Sequence, residues 1–444
     1  VKIRGMFSRR NRRPKTPELL QAWQALDEGD VPGALRQLRH GTDDLPLDEL
    51  ALVVARAAES AGFDDLRVAS EALTARAAKA PVLYDFGYAC IERGVPHLAI
   101  PALREALRQA PDAAGILREL VAAYEREGRH REAVDALVAH ESGLLDWPDR
   151  YLLVFNAVMA GDLALARRHD ARLPDPQEAM WLPARARQRA MLERAAGVAG
   201  ASPLDTTDLR GWQYVIGGTV LTTLSPYGFD AGMTGRYAWL QDTHDQCLRG
   251  LVRLKAVLDA AGAAPTSVSL LPDRDSRILG LAAARLLDLP VQPFAPDRED
   301  TVVVAYDLTK VADAEQGPEM LDRLHERTPG QILHEHASNW TDPPVVTADS
   351  ATLLHQSARA PWEGQLRAGE DGDVERGAPD GRPEEEIAAD ILAADATPDE
   401  GDGSAPADPV GGLTDFVSAV RDTWLRADRA GLQSAGPVSS SRFL

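Results

Sequence analysis

Five glycines, Gly29, Gly62, Gly94, Gly128 and Gly161, are separated by 33, 32, 34 and 33 residues, and alanine stands five positions after four of them, at Ala34, Ala99, Ala133 and Ala166. A glycine is the residue that lets a chain reverse through a left-handed backbone, and a small residue on the following helix lets that helix pack closely. The period therefore predicts stacked helix-turn-helix units, each too small to bury its apolar face without its neighbours.

The unit from Ala80 to Ala110 carries the pattern most fully. Gly87 and Ala99 are small enough for two helices to approach, Leu83, Phe86, Cys90, Leu103 and Ala106 fill the seam between them, and Pro111 ends the unit. This pattern resembles the tetratricopeptide repeat over residues 16–173, about a third of the chain. The second unit departs from it, with Arg67 where the small residue belongs. Residues 175–198 continue helical and are expected to cap the array, closing residues 16–200 as one α-solenoid.

The resemblance implies that the first helix of each pair lines a groove. Positions counted back from each turn glycine then give the partner-groove set: Leu19, Trp23 and Leu26; Tyr84, Tyr88 and Ile91; Tyr151, Phe155 and Val158; with Arg56 and Arg118 from the units between. Aromatic and guanidinium groups supply much of the energy of protein interfaces, which makes a partner peptide or helix the expected ligand.

The chain has 444 residues, 44% of them hydrophobic, enough for two or three domains. No apolar run approaches the about 18 residues of a membrane span, and the basic N-terminus lacks the apolar stretch of a secretory signal, so the expected location is cytoplasmic. Met6 is an alternative start to Val1. Cys90 and Cys247 are the only cysteines, too few for a disulfide framework or a thiolate cage. Arginine outnumbers lysine 43 to 5, which points to a high-GC bacterial genome. The net charge of -20 opposes nucleic-acid binding. Against that balance, Lys2, Arg4, Arg9, Arg10, Arg12, Arg13 and Lys15 form a basic arm over residues 1–15, expected to be disordered.

After Gly200 the pattern changes. The run from Tyr214 to Leu224, then Thr266 to Pro272, Val291 to Phe294 and Thr301 to Tyr306, read as strands, while Gln246 to Ala261 and Ser276 to Leu289 read as helices. Strands alternating with helices predict an α/β domain with a mainly parallel sheet over residues 205–365. Asp273, Arg274, Asp275, Ser276 and Arg277 follow one strand, and Asp307, Thr309 and Lys310 the next, so both loops are expected at one crevice suited to an anionic ligand such as a nucleotide or sugar phosphate. Helix capping with surface ion pairs is the plainer reading of the first loop. Residues 245–310 resemble a type I phosphoribosyltransferase in outline, through LLPDRDSRILGLAAARLLDLP and VVVAYDL. The paired acids and glycine-threonine phosphate loop that such an activity implies are absent after Asp307.

His334 and His336 lie two apart, on one face if that segment is a strand, where a metal would need a further ligand; Asp342 and His355 are the nearest in sequence. Hydrogen-bonded histidines are the commoner outcome, so no metal or other cofactor is assigned. No GxSxG, P-loop or HExxH motif occurs and no residue is assigned as catalytic. Residues 366–412 are expected to be a disordered acidic linker, since Glu370 to Asp408 holds fourteen carboxylates against Arg376 and Arg382. Residues 413–430, with Leu413, Phe416, Val417, Val420 and Trp424 on one face, are expected to form an amphipathic helix before a disordered end at 431–444. The acidic tail or this helix is an expected intramolecular competitor for the groove, drawn by Arg56 and Arg118. The chain thus reads as a non-enzymatic interaction scaffold with the α/β domain as a second recognition module; an anionic-ligand sensor or enzyme is the alternative.

Overall fold

The computed structural model describes residues 13–39, 41–75, 78–229, 232–313, 316–344, 346–368 and 373–425, with 432, 434–438 and 440 beyond them. Most of the basic arm and of the C-terminal end lies outside the described residues. The chain divides into two compact units, Val1–Pro174 and Asp175–Leu444.

The first unit is a stack of helix pairs: α1 (Pro17–Asp27) with α2 (Val31–Gln37), α3 (Leu47–Ala61) with α4 (Asp64–Ala75), α5 (Ala80–Glu92) with α6 (Pro96–Gln109), α7 (Ala114–Arg126) with α8 (His130–Ala139), and α9 (Tyr151–Met159) with α10 (Leu163–Asp170). Every one of the five turn glycines has positive φ, from 67° at Gly128 to 85° at Gly29. Gly29, Gly62, Gly94 and Gly128 meet no neighbour where a Cβ would stand, so glycine is required there by backbone angle and not by crowding. Ala34, Ala99, Ala133 and Ala166 are all fully buried. In the second pair Arg67 instead turns outward to Asp64 and Glu71, and Leu66, Ser70 and Leu73 supply the buried face of α4.

α5 and α6 approach closely at Gly87, where a Cβ would stand 2.5 Å from Leu103 Cγ. Leu83, Phe86, Cys90, Leu103 and Ala106 around it are all fully buried.

The second unit opens with α11 (Leu182–Gly197), the helix expected to cap the solenoid. It belongs to this unit because buried Arg194 donates to the carbonyls of Val215 and Ile216 at 2.9 and 2.8 Å. Those carbonyls end α12 (Leu209–Gly217), which replaces most of the strand expected from Tyr214 onward. Asp208 caps its start by accepting from Gly211, and Gly218 at φ 81° ends it. Only Val220–Leu221 (β1) extends from that run.

The remaining core elements are β2 (Tyr237–Gln241), α13 (His244–Ala261), β3 (Ser267–Leu270), α14 (Arg274–Leu287), β4 (Val291–Pro293), β5 (Thr301–Ala305), α15 (Leu308–Asp313), α16 (Gly317–His325), β6 (Ile332–Asn339) and β7 (Ser350–Arg359). The strands form one seven-stranded parallel sheet in the order β1-β7-β6-β5-β3-β4. β2 pairs with β7 beyond β1, at Tyr237 to His355 through Gln241 to Arg359. Consecutive strands run outward in opposite directions from β3, which puts a topological switch point between β3 and β5. Helices α13 and α14 pack on one face, while α15 and α16 cover the other around Val303, Ala305 and Leu333.

The acidic stretch is ordered where it is described, contrary to the disordered linker expected. β8 (Leu366–Ala368) and β9 (Val374–Arg376) pair antiparallel, and α17 (Glu384–Ala393) packs on α14 with Ile387, Ala388 and Ile391 fully buried. Three apolar side chains on one stripe are enough to anchor it, despite the charge around them. Asp408 is held by Arg210 and Arg253, at 2.9 and 3.0 Å. The last helix, α18 (Val410–Val420), packs on α13, and its apolar face, including Phe416 edge-on to Tyr214, is buried inside this unit. Trp424 Nε1 donates to the Asp349 carbonyl. Among the described residues no helix is long and apolar enough to cross a membrane.

Gly87→Ala should destabilise the first unit by about 1–3 kcal/mol, as overpacking does in tight seams. Gly115→Ala in α7, where a Cβ meets nothing within 4 Å, should be neutral or stabilise by up to about 1 kcal/mol. Thermal unfolding of the two variants checks the pair; equal effects would contradict the packing at Leu103.

Candidate functional site

On the first helices the structure divides the groove set. Trp23, Arg56, Tyr84, Arg118 and Phe155 are half-buried and Tyr88 is 44% exposed. Leu19, Leu26, Ile91, Tyr151 and Val158 are instead core residues. The position six before the turn glycine reaches the surface as Trp23, Arg56, Tyr88 and Phe155. The position three before it, Leu26, Ile91 and Val158, is covered because the chain reverses over the last turn of the helix. Tyr84 and Tyr88 stack at 6.1 Å, and Trp147, Tyr151 and Phe155 form a ladder with centroid spacings of 5.3 and 6.3 Å.

Neither groove arginine is available to an acidic ligand. Arg56 pairs with Asp27 and lies 4.6 Å over the Trp23 ring, while Arg118 binds buried Asp149 through two bonds of 2.6 and 3.2 Å. Glu119 and Asp85 stand near the tyrosine pair, with Glu92 and Arg126 beside Glu119. Burial, and then the neighbouring Glu92, push the Glu119 carboxyl up, and burial does the same to Glu125 although Asn156 donates to it.

In the second unit the two predicted loops do meet at the switch point. Lys310 Nζ lies 3.5 Å from Asp275, and the Tyr306 amide donates to Ser276 Oγ. Asp273 caps α14 by accepting from the Ser276 amide. Their cations already have partners from the chain itself: Arg274 donates to the carbonyls of Asp380 and Arg382, Arg277 to Glu384, and Lys310 to Glu363. Trp362 covers the same place, donating to Asp275 and lying 5.4 Å from the Tyr306 ring. Thr309 turns inward to Asp307. The polar groups of the expected anion site are thus paired with Trp362, Glu363, Asp380, Arg382 and Glu384, and Asp273 acts as a helix cap with ion pairs around it.

The densest chemistry lies beside this crevice. β6 alternates its side chains, so His334 and His336 face α13 while Glu335 faces α15. Fully buried Asp242, at the end of β2, accepts on Oδ2 from His336 Nε2 at 2.9 Å, the Tyr306 hydroxyl at 2.9 Å and the Cys247 thiol at 3.3 Å; its Oδ1 accepts from the Thr243 amide. Burial alone would raise this carboxyl, but His336 and Tyr306 hold it below the usual carboxylate range. Burial, with Asp242 next, pushes both the Cys247 thiol and the Tyr306 phenol well up. His334 bonds Ser350 and Thr352, and burial pushes it down to about 3. On the other face Asp307 lies 3.4 Å from His355, while burial, and then the charge of Asp307, push Glu335 up to about 8. Asp342 is exposed in a turn held by Asn339 and is not among the groups that converge on His336.

No known family's model matches the chain, and no curated protein matches it. Of the sequence candidates, His336 alone joins the Asp242 cluster. Asp242 and Cys247 were not readable as its partners, because the pairing of β2 with the far edge of β7 and the packing of α13 on the sheet bring them to β6, while Tyr306 arrives from the end of the neighbouring strand β5.

Glu335 sets a pH dependence whose sign is determined. Its folded pKa lies above the ordinary 4.5, so the folded state holds the proton longer and this group's contribution falls as pH rises from about 4.5 through about 8. Glu335→Gln keeps an oxygen for the Leu308 amide and should remove that decline. Denaturant unfolding at pH 5 and pH 8 should show the variant losing less stability than the parent, by an amount on the order of 1 kcal/mol or more. Parallel losses would contradict the assignment.

Proposed function

We propose that the first unit is a tetratricopeptide-like interaction module of a non-enzymatic cytoplasmic scaffold, and that the first-helix face around Tyr84 and Tyr88 binds an extended or helical partner segment rich in arginine and lysine. The observation that carries the reading is the exposed tyrosine stack. A 44% exposed Tyr88 stacked on Tyr84 is a rigid aromatic platform that the described residues leave open. Asp85, Glu92 and Glu119 flank it, which supports a cationic ligand through carboxylate pairing and stacking of guanidinium on the rings.

The same pairing argues against the acidic tail as the groove's occupant. Arg56 and Arg118 are neutralised by Asp27 and Asp149, and the apolar face of α18 is already used within the second unit. The α/β unit is the second recognition module in this reading. An anionic-ligand sensor has less support, because Arg274, Arg277 and Lys310 already have partners from the chain.

Selection of a displayed random-peptide library on the full chain tests this function. Basic sequences with aromatic or arginine anchors should be enriched, and Tyr88→Ala should weaken a selected peptide at least tenfold while changing stability by less than about 0.5 kcal/mol. Glu119→Gln should weaken it less and reduce its salt dependence. Enrichment of acidic peptides, or peptides that bind Tyr88→Ala unchanged, would overturn the reading.

A further inference from the structure

We propose that Asp242, Cys247 and His336 form a binding site for one divalent transition-metal ion of the zinc class. The three side chains come from the end of β2, the first turn of α13 and the middle of β6, and all are buried. Their ligating atoms converge: Asp242 Oδ2 to His336 Nε2 is 2.9 Å, Cys247 Sγ to Asp242 Oδ2 is 3.3 Å, and Cys247 Sγ to His336 Nε2 is 3.9 Å. Around a tetrahedral zinc ion with its usual bond lengths, neighbouring ligand atoms stand roughly 3.3–3.7 Å apart. Two of the three separations lie within a few tenths of an ångström of that range, and the third needs a small opening of the Asp242–His336 pair. One thiol, one imidazole and one carboxylate make a donor set of intermediate softness, which suits zinc or cobalt(II) better than magnesium or calcium.

The crowding on Asp242 is a second, independent pointer. Its Oδ2 accepts from an imidazole, a phenol and a thiol at once, three hydrogens on an oxygen with two lone pairs. A cation in their midst would replace the imidazole and thiol hydrogens and serve the carboxylate, thiolate and imidazole together. Tyr306, 2.9 Å from the same oxygen, is placed to be a fourth ligand or to steady the bound carboxylate.

The ring's other nitrogen fits the same account. His336 Nδ1 is buried with no hydrogen-bond partner among the described residues. It would become the donor once Nε2 binds a metal, and Thr352 Oγ1 lies on the same side. Both atoms stand within 3 Å of the point where a Gly250 Cβ would be, so the glycine is what lets α13 come down onto β6 here.

The test uses the full chain, stripped with a chelator and titrated with cobalt(II) and then zinc(II). Wild-type protein should bind one cobalt per chain, with tetrahedral visible bands and a thiolate-to-cobalt charge-transfer band, and zinc should displace the cobalt and raise the melting temperature by several degrees. Cys247→Ser should abolish the charge-transfer band, His336→Gln should lower affinity at least tenfold, and Cys90→Ser, whose thiol is buried away from any such cluster, should change neither. Wild-type spectra decide the matter even if a variant fails to fold. Failure of wild type to bind cobalt or zinc stoichiometrically, or binding that survives in both site variants, would overturn the proposal and leave the cluster as a polar network joining α13 to the sheet.

Discussion

The left-handed turn at each repeat glycine is the constraint on which the first unit depends. A helix that ends at φ near +67 to +85° reverses within two residues, and the next helix must then lie antiparallel against the first. Repeating that reversal at a constant spacing stacks the pairs, and stacking is what buries Leu83, Phe86, Cys90 and their equivalents. It also leaves part of each first helix uncovered. The aromatic platform at Tyr84 and Tyr88 is therefore a consequence of the turn chemistry, with residue choice deciding only what the uncovered face displays.

The second unit follows a different logic. Its parallel sheet creates a switch point between β3 and β5, a usual place for a ligand, and the chain's own Trp362, Glu363 and Glu384 pair with Asp275, Lys310 and Arg277 there. The densest polar cluster lies to one side of it, where β2 joins β7 and delivers Asp242 to His336. A carboxylate with that many donors ties three separate elements together. α13 and β6 are thereby joined through polar atoms, beside the buried His334, Ser350 and Thr352.

Local demands were legible in the sequence, and long-range coverage was not. The turn glycines, the Gly87–Leu103 seam and the Asp273 cap could be read because each depends on backbone angle, side-chain size or a neighbour three residues away. Exposure along the groove was only partly legible: Tyr88 reaches the surface and Trp23 is half-buried, while Leu26 and Tyr151 are covered by the adjoining chain. The acidic stretch was misread for the same reason. Its few apolar groups, Ile387, Ala388 and Ile391, find a ready surface on α14, and Asp408 finds Arg210 and Arg253, 198 and 155 residues away. Composition measures how little such a segment can bury alone, and says nothing of what the rest of the fold offers it.

Tyr88 is exposed in the free protein, and in the function proposed above its face is the one a basic ligand covers. Hydroxyl-radical footprinting of the full chain, alone and with a bound arginine-rich peptide, measures this directly. The account predicts strong labelling of Tyr88 in the free chain, protection of Tyr88 on binding, and little labelling of buried Tyr151 in either state. Equal labelling of Tyr88 and Tyr151, or a Tyr88 signal unchanged by the peptide, would contradict it.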